Sequence, residues 1–469
     1  MLNDYICSQI RSFFPFEPTE QQSELINQLG NFLVLHEERK VFLLKGYAGT
    51  GKTTVVSALV RALNKLEQHT VLLAPTGRAA KVLSGYSGFP AFTIHKRIYR
   101  QKSISDFRFQ LADNLYKNTL FIVDEASMIS SGSSEKLFGS GNLLEDLIQF
   151  VFSGEGCSLL LLGDVAQLPP VEQAISPAME TDILKSYGLN IREYTLTFVV
   201  RQALESGILS QATQLRQQLE EQKTEQHPIL ALKGFSDIQR LNGSELIDMV
   251  QRSYSRAGVE DTIVITRSNK RANLYNNGIR SNVMMRDEQI ASGDLLMVTR
   301  NNYFWNKPYS DIDFIANGDV LEVVRIRKYR EMYGFHFADL TLHSLDFGWE
   351  IDARVWLDGL MSESPAQMNE LTNKLFTAVA EDYPEIKARN KLYRKVLENE
   401  YFNALQVKFA YAVTCHKAQG GQWKKVFIDH GYLPAERINS EYYRWLYTAL
   451  TRATEQVYLV NFPDEWFVE

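Results

Sequence analysis

The sequence predicts an α/β fold built on parallel sheets, with a small antiparallel module inserted in its second half. Three observations carry this. Short apolar runs end in polar or glycine-rich loops and are followed by helical patterns. A complete phosphate-loop motif joins the first such run to its helix. Between about Ser292 and Leu357 the texture changes to alternating apolar and polar residues with turn signals at Asn317-Gly318-Asp319 and Tyr333-Gly334.

Four runs in the first 190 residues read as buried parallel strands: Val41–Lys45, Thr70–Ala74, Leu120–Val123 and Leu159–Leu162. A helix is expected over Thr53–Leu66. A second α/β block follows. It has strands at Thr262–Thr266, Phe409–Thr414, Lys425–Asp429 and Gln456–Asn461, a helical stretch through Arg280 and a helix at Glu441–Arg452. Ser364–Leu405 is charged and helix-like. The expected organisation is a first domain at 1–190, with a small insertion at about 84–118. A second domain takes 191–288 and 406–469, and the inserted module with its helical segment takes 289–405.

At 469 residues, the chain has room for about two to four domains. Apolar residues make up 45% and charged residues 23%, which excludes a disordered chain. The three cysteines, Cys7, Cys157 and Cys415, lie far apart, which argues against a disulfide framework or thiolate metal site. No apolar run reaches the ~20 residues of a membrane helix, and the N-terminus lacks a signal-peptide pattern. A cytoplasmic location is expected. No repeat of 20–50 residues or low-complexity tract is present.

The net charge of −6 argues against a nucleic-acid partner, but charge is unevenly placed. From Val71 to Lys117 there are eight basic residues and two acids. From Arg267 to Arg286 there are five basic residues and no acid. A narrow basic track on an acidic body suits one strand in a groove better than a broad duplex-binding face.

Gly46-Tyr47-Ala48-Gly49-Thr50-Gly51-Lys52-Thr53 matches G-x-x-x-x-G-K-[ST] in full, between a strand and a helix that Thr54 continues. Glycines let backbone N–H groups face phosphate oxygens, and the helix N-terminus adds positive potential. Lys52 suits the β- and γ-phosphates of ATP, and the Thr53 hydroxyl suits Mg²⁺. Asp124-Glu125 ends a strand, where a second Mg²⁺ ligand (Asp124) and a base for the attacking water (Glu125) belong. Gln167, in Gly163-Asp164-Val165-Ala166-Gln167-Leu168-Pro169-Pro170, carries an amide that can sense the γ-phosphate.

In this order the motifs resemble a superfamily 1 helicase of the RecD-like 1B branch. Ala74-Pro75-Thr76-Gly77-Arg78-Ala79-Ala80-Lys81 and Thr93-Ile94-His95-Lys96 look like strand-contacting motifs Ia and Ib. Val200-Arg201-Gln202 looks like motif IV, Thr414-Cys415-His416-Lys417-Ala418-Gln419-Gly420 like motif V, and Tyr447-Thr448-Ala449-Leu450-Thr451-Arg452-Ala453 like motif VI.

The resemblance implies two RecA-like domains with ATP between them and an SH3-like β module inserted in the second. It implies 5′-to-3′ movement on single-stranded DNA and work at single-strand/duplex junctions, with Arg201 and Arg452 as arginine fingers. Pro75, Thr76, Arg78, Thr93, His95, Thr414, His416 and Gln419 would face the strand. Phe107 or Phe109, between motif Ib and Asp124, would be a duplex-splitting wedge.

Thr19-Glu20-Gln21-Gln22 resembles an adenine-reading motif with Gln22 as reader, and is equally a helix capping box. An RNA-directed enzyme of the same superfamily is an alternative, and so is an ATP-switched binding subunit without unwinding. No carboxylate cluster beyond the ATP site suggests a nuclease.

Overall fold

Along the strand Lys40–Gly46, Val41 and Leu43 face one side and Phe42 and Leu44 the other, and all four are buried. A strand with two apolar faces needs cover on both. The computed structural model provides it, and describes residues 2–101, 109–132, 139–200, 205–306, 308, 309, 312 and 314–468. The first sheet is six-stranded and parallel. Its order is Ala91–Thr93, Thr70–Ala74, Leu120–Val123, Ser158–Gly163, Lys40–Gly46 and Asn190–Leu196. The helix Lys52–Lys65 packs Val55, Val56, Leu59 and Leu63 into one of its two cores.

A second parallel sheet runs in the order Ile238–Leu241, Ala453–Val460, Trp423–Asp429, Thr262–Thr266 and Ala412–Thr414. A third sheet is antiparallel, in the order Glu350–Trp356, Phe335–Ser344, Val320–Met332, Leu295–Val298 and Val407–Phe409. The fold is thus mixed α/β with two parallel sheets and an antiparallel module between parts of the second, as the sequence predicts.

One expected strand divides. Val407–Phe409 closes the antiparallel sheet, and Ala412–Thr414 belongs to the parallel one. Asn276 holds the corner between them. Its amide oxygen accepts from the Tyr411 and Ala412 amides, and its nitrogen donates to the Phe409 and Ala412 carbonyls. The second and third sheets also share one continuous core. The helices Pro365–Ala380 and Arg389–Leu397 pack on the module's outer strands through Leu375, Val379 and Val396.

Three of the five basic residues from Arg267 to Arg286 are paired inside this half. Arg271 pairs with Asp429 at 2.7 Å, and Arg280 and Arg286 both pair with buried Asp294, at 3.0 and 2.8 Å. This narrows the expected basic track there to Arg267 and Lys270, which are exposed. Part of the first run is also engaged. Arg97 stacks on Phe92, and Lys117 pairs with Glu155.

The module docks on the first half through two carboxylates. Asp346, its side chain fully buried, lies 3.6 Å from both Arg78 and Lys81. Asp319 is 1% exposed. Its Oδ2 accepts from the Ala316 amide at 2.8 Å, and its Oδ1 packs against Gly77, where a Cβ would approach to 2.7 Å. Burial pushes the Asp319 carboxyl up to about 7. The folded state therefore holds a proton there that the unfolded chain releases near the ordinary carboxylate range. This stabilises the fold at low pH, and the gain is lost as pH rises toward 7. Asp319→Asn keeps an acceptor for Ala316 without the charge. Its melting temperature should exceed wild type by several degrees at pH 8, with the gap closing near pH 5. An equal gap at both pH values would refute a buried titrating carboxyl.

Candidate functional site

The phosphate loop leaves the strand Lys40–Gly46 and enters the helix Lys52–Lys65 through Gly49 and Gly51, with φ of 75° and 84°. These are left-handed conformations that glycine adopts without steric cost. A Cβ on Gly51 would stand 2.3 Å from Gln22 Nε2. The Lys52 ammonium donates to the Gly46 and Tyr47 carbonyls, the latter at 3.1 Å. Thr50 Oγ1 donates to the Tyr47 carbonyl at 2.8 Å, and Thr53 is exposed on the first helical turn.

The strand Leu120–Val123 delivers Asp124 and Glu125 to the same edge. Asp124 Oδ1 accepts from the Glu125 amide at 2.8 Å and Oδ2 from the Tyr86 hydroxyl at 2.6 Å. Glu125 has φ of +52°, a left-handed conformation costing a non-glycine residue about 1–3 kcal/mol. Burial raises its pKa, as do the charges of Asp124 and Asp164, while Arg452 and Lys52 oppose the shift. A carboxylate held above its ordinary range suits a base acting near neutral pH.

Arg452 comes from the other half. Its Nη1 lies 3.7 Å from Glu125 Oε1, and the residue is 4% exposed. The Arg452 Nε donates to the Thr448 carbonyl at 3.1 Å. The helix Ser440–Leu450 that precedes it grips the loop after the strand Ser158–Gly163. Tyr447 donates to Asp164 Oδ2 at 2.7 Å and accepts from the Ala48 amide of the phosphate loop at 2.9 Å. Thr448 Oγ1 accepts from the Leu168 amide at 2.8 Å, and Arg444 donates to the Val165 carbonyl. Residues 444, 447 and 448 share one helix face. Tyr447 and Thr448 stand within a motif read from the sequence but were assigned no role, and Arg444 lies outside it; helical spacing from Arg452 is the signal that could have found them.

Gln167 is 7% exposed, and its Oε1 has no hydrogen-bond partner. A buried, unpartnered amide oxygen at this edge leaves an acceptor for a polar ligand. Thr53 and Asp124 supply hard oxygen donors of the kind Mg²⁺ takes. The residues present therefore fit a magnesium nucleotide.

Gln22 is corrected. It is 1% exposed in the capping box of the helix Glu20–Val34. Its Oε1 accepts from the Thr19 amide at 3.0 Å, and its Nε2 donates to the Thr50 carbonyl at 3.2 Å. It fastens the helix to the phosphate loop and offers no free edge to a base. Arg201 and Phe107 lie outside the described residues.

A groove of about 790 Å³ lies between the halves and the module. It is lined by Thr76, Arg78, His95 and Tyr99 from the first, by His416, Lys417 and Gln419 from the second, and by Asn301, Asn317 and Gly318 from the module. It thus gathers the expected residues Thr76, Arg78, His95, His416 and Gln419. Burial lowers the pKa of both histidines, His95 to about 4, so both are neutral at pH 7.

Other expectations change. Pro75 is half-buried outside this lining. Thr93 is 5% exposed and caps the helix Ile94–Ile98. Thr414 lines a second cavity of about 280 Å³ that shares His416 with the groove. Gln419 lines the groove but donates to the Leu168 carbonyl at 2.6 Å, so it ties the halves together. Phe109 is 7% exposed, its ring 4.4 Å from that of Tyr303 in the module. A ring buried in this way is not a projecting wedge.

A phosphate loop whose cleft is completed by a guanidinium from a second parallel-sheet half defines a P-loop ATPase built from two halves. Residues 18–235 match the AAA domain family, and residues 409–460 match the UvrD-like helicase C-terminal domain. These two matches, in this order, are consistent with a RecD-like helicase of superfamily 1B. It is 24% identical to the ATP-dependent RecD2 DNA helicase of Deinococcus radiodurans over 96% of this chain, but spans only 50% of that protein. It is 24% identical to the ATP-dependent DNA helicase dda of Enterobacteria phage T4, over 87% of this chain and 92% of that one. A Bacteroides Pif1 helicase structure in complex with ADP-AlF3 and ssDNA aligns with a TM-score of 0.48 at 15% identity, over 97% of this chain and 95% of that one. Among the described residues no helix is long and apolar enough to cross a membrane.

Gln22→Ala should lower stability by about 1–2 kcal/mol, the cost of a lost cap and loop contact, and leave the preference for ATP over GTP intact. Loss of that preference would restore an adenine-reading role.

Proposed function

We propose that the chain is an ATP-dependent DNA helicase that moves along single-stranded DNA. The observation that carries this is the Arg452–Glu125 contact across the cleft, made by the same two halves that line the groove. A nucleotide held by both halves draws them together, and its hydrolysis lets them part. A strand gripped by both halves is then passed from one to the other.

The phosphate-loop residues Gly46, Ala48, Gly49, Thr50, Gly51, Lys52, Thr53 and Thr54 cradle the triphosphate. Thr53 and Asp124 would hold Mg²⁺, which neutralises phosphate charge when bound. Glu125 takes a proton from the attacking water, and Arg452 offsets charge developing on the γ-phosphoryl oxygens. Arg201 is the proposed second finger, and Gln167 reports on the γ-phosphate. Thr76, Arg78, His95 and His416 contact the strand backbone, which carries no sequence information.

The domains of this reading are the first at 1–190, the second at 191–288 and 406–469, and the module between. Resemblance to the 1B branch supports 5′-to-3′ movement.

Lys52→Ala should abolish ATP turnover. Glu125→Gln should lower it by about 10²–10⁴-fold while nucleotide binding persists. Duplexes with a 5′ single-stranded tail should be unwound and those with only a 3′ tail left intact. Single-stranded DNA should stimulate ATPase more than RNA of the same length. Unwinding from the 3′ tail alone would reverse the polarity, and stimulation by RNA alone would change the substrate.

A further inference from the structure

The helix Gly77–Ser87 has one end in each site. Its first turn lies at the groove, where Thr76 and Arg78 are part of the lining. Thr76 Oγ1 caps the helix by accepting from the Ala79 amide at 3.2 Å, which leaves its own O–H free to donate. Eight residues past Arg78, about 12 Å along a helix, Tyr86 donates to Asp124 Oδ2 at 2.6 Å. The last turn is seated on the phosphate-loop helix, where Ser57 Oγ donates to the Tyr86 carbonyl at 2.8 Å. The Asp124 amide also donates to the Leu73 carbonyl at 2.9 Å, in the strand that feeds this helix.

The first turn is packed from the other half as well. A Cβ on Gly420 would stand 2.7 Å from Ala79 Cβ, and the Arg78 guanidinium lies 4.9 Å from the Trp423 ring centre. A change of groove contents or domain position that shifts the first turn must shift a short, stiff helix whose far end holds a carboxylate of the nucleotide cleft. Nothing else among the described residues joins a groove-lining helix to Asp124 by a side-chain hydrogen bond.

We propose that Tyr86 is a positioning residue, and that its hydrogen bond to Asp124 transmits strand contact at Thr76 and Arg78 into the setting of the metal-binding carboxylate. This rests on the reading of cleft and groove given under Proposed function. Tyr86→Phe removes one oxygen and keeps the ring. Affinity for a fluorescent oligo(dT) is measured with and without a non-hydrolysable ATP analogue and Mg²⁺. Affinity for the analogue is measured with and without oligo(dT). The two ratios must agree, because coupling between binding sites is reciprocal.

In Tyr86→Phe the coupling factor should fall about fivefold or more. The Mg²⁺ concentration giving half-maximal analogue binding should rise severalfold. Ser57→Ala, which loosens the seat of the last turn and keeps the phenol, should lower the coupling by a smaller factor, and serves if Tyr86→Phe fails to fold. A coupling factor within twofold of wild type overturns the proposal, even if both affinities fall together, since that is the mark of a merely structural role. A wild-type protein with tight binding at both sites and no coupling between them overturns the proposal and the proposed motor as well.

Discussion

The structure depends on how one buried carboxylate is satisfied. Asp164 is 2% exposed and lies where the two halves meet. Its Oδ1 accepts from the Ala166 amide of its own loop at 2.9 Å, and its Oδ2 accepts from Tyr447 of the opposite half. A buried charge without such partners costs several kcal/mol. The second half therefore docks where Tyr447 can reach. That position also brings Thr448 to Leu168, Arg444 to Val165 and Arg452 to Glu125. Because Tyr447 also accepts from the Ala48 amide, the phosphate loop belongs to the same bonded unit. The cleft is thus a property of both halves together, which an ATP-driven motor requires and a simple nucleotide-binding domain does not.

The groove follows from the same docking. Gln419 donates to the Leu168 carbonyl, so the helix that carries His416 and Lys417 is held against the first half. Lys417 donates to Asn317 at 2.5 Å, which brings the module's turn to the groove. Asp319 and Asp346 complete the ring by meeting Gly77, Arg78 and Lys81. A strand in this groove would be enclosed by three parts of the chain rather than laid on one face. Asp346 also gives Arg78 an internal partner, so a phosphate that takes Arg78 must compete with a carboxylate already there.

What was legible in the sequence was what local pattern determines. Thr70–Ala74, Leu120–Val123 and Thr262–Thr266 match their strands residue for residue, because a buried parallel strand is a continuous apolar run between breakers. The phosphate loop was legible because its glycines answer backbone needs in place: Gly49 and Gly51 do have positive φ. Side-chain partners were not, since they depend on residues far along the chain. Gln22 fits an adenine reader and a capping box equally well as a string of letters. Only the Thr50 carbonyl, 28 residues away, shows that its amide is already used. The split of Phe409–Thr414 between two sheets was hidden for the same reason, since the corner is made by Asn276.

The charge balance shows that limit at the scale of the whole chain. Five basic residues without an acid between Arg267 and Arg286 read as a surface for phosphates, yet Asp294 and Asp429 take three of the five. Arg78, beside an acid of its own, remains at the groove wall. A run of like charges reports a need for counter-charge and does not say whether the counter-charge is another segment of the chain or a ligand. Burial decides between them. Arg280 and Asp294 have side chains 7% and 0% exposed and are committed to each other, whereas Arg78 keeps 17% of its side-chain surface and faces a cavity. An acidic protein can therefore hold one strand with few cations, provided that those few stand where the fold has left a groove and the rest are neutralised within the protein.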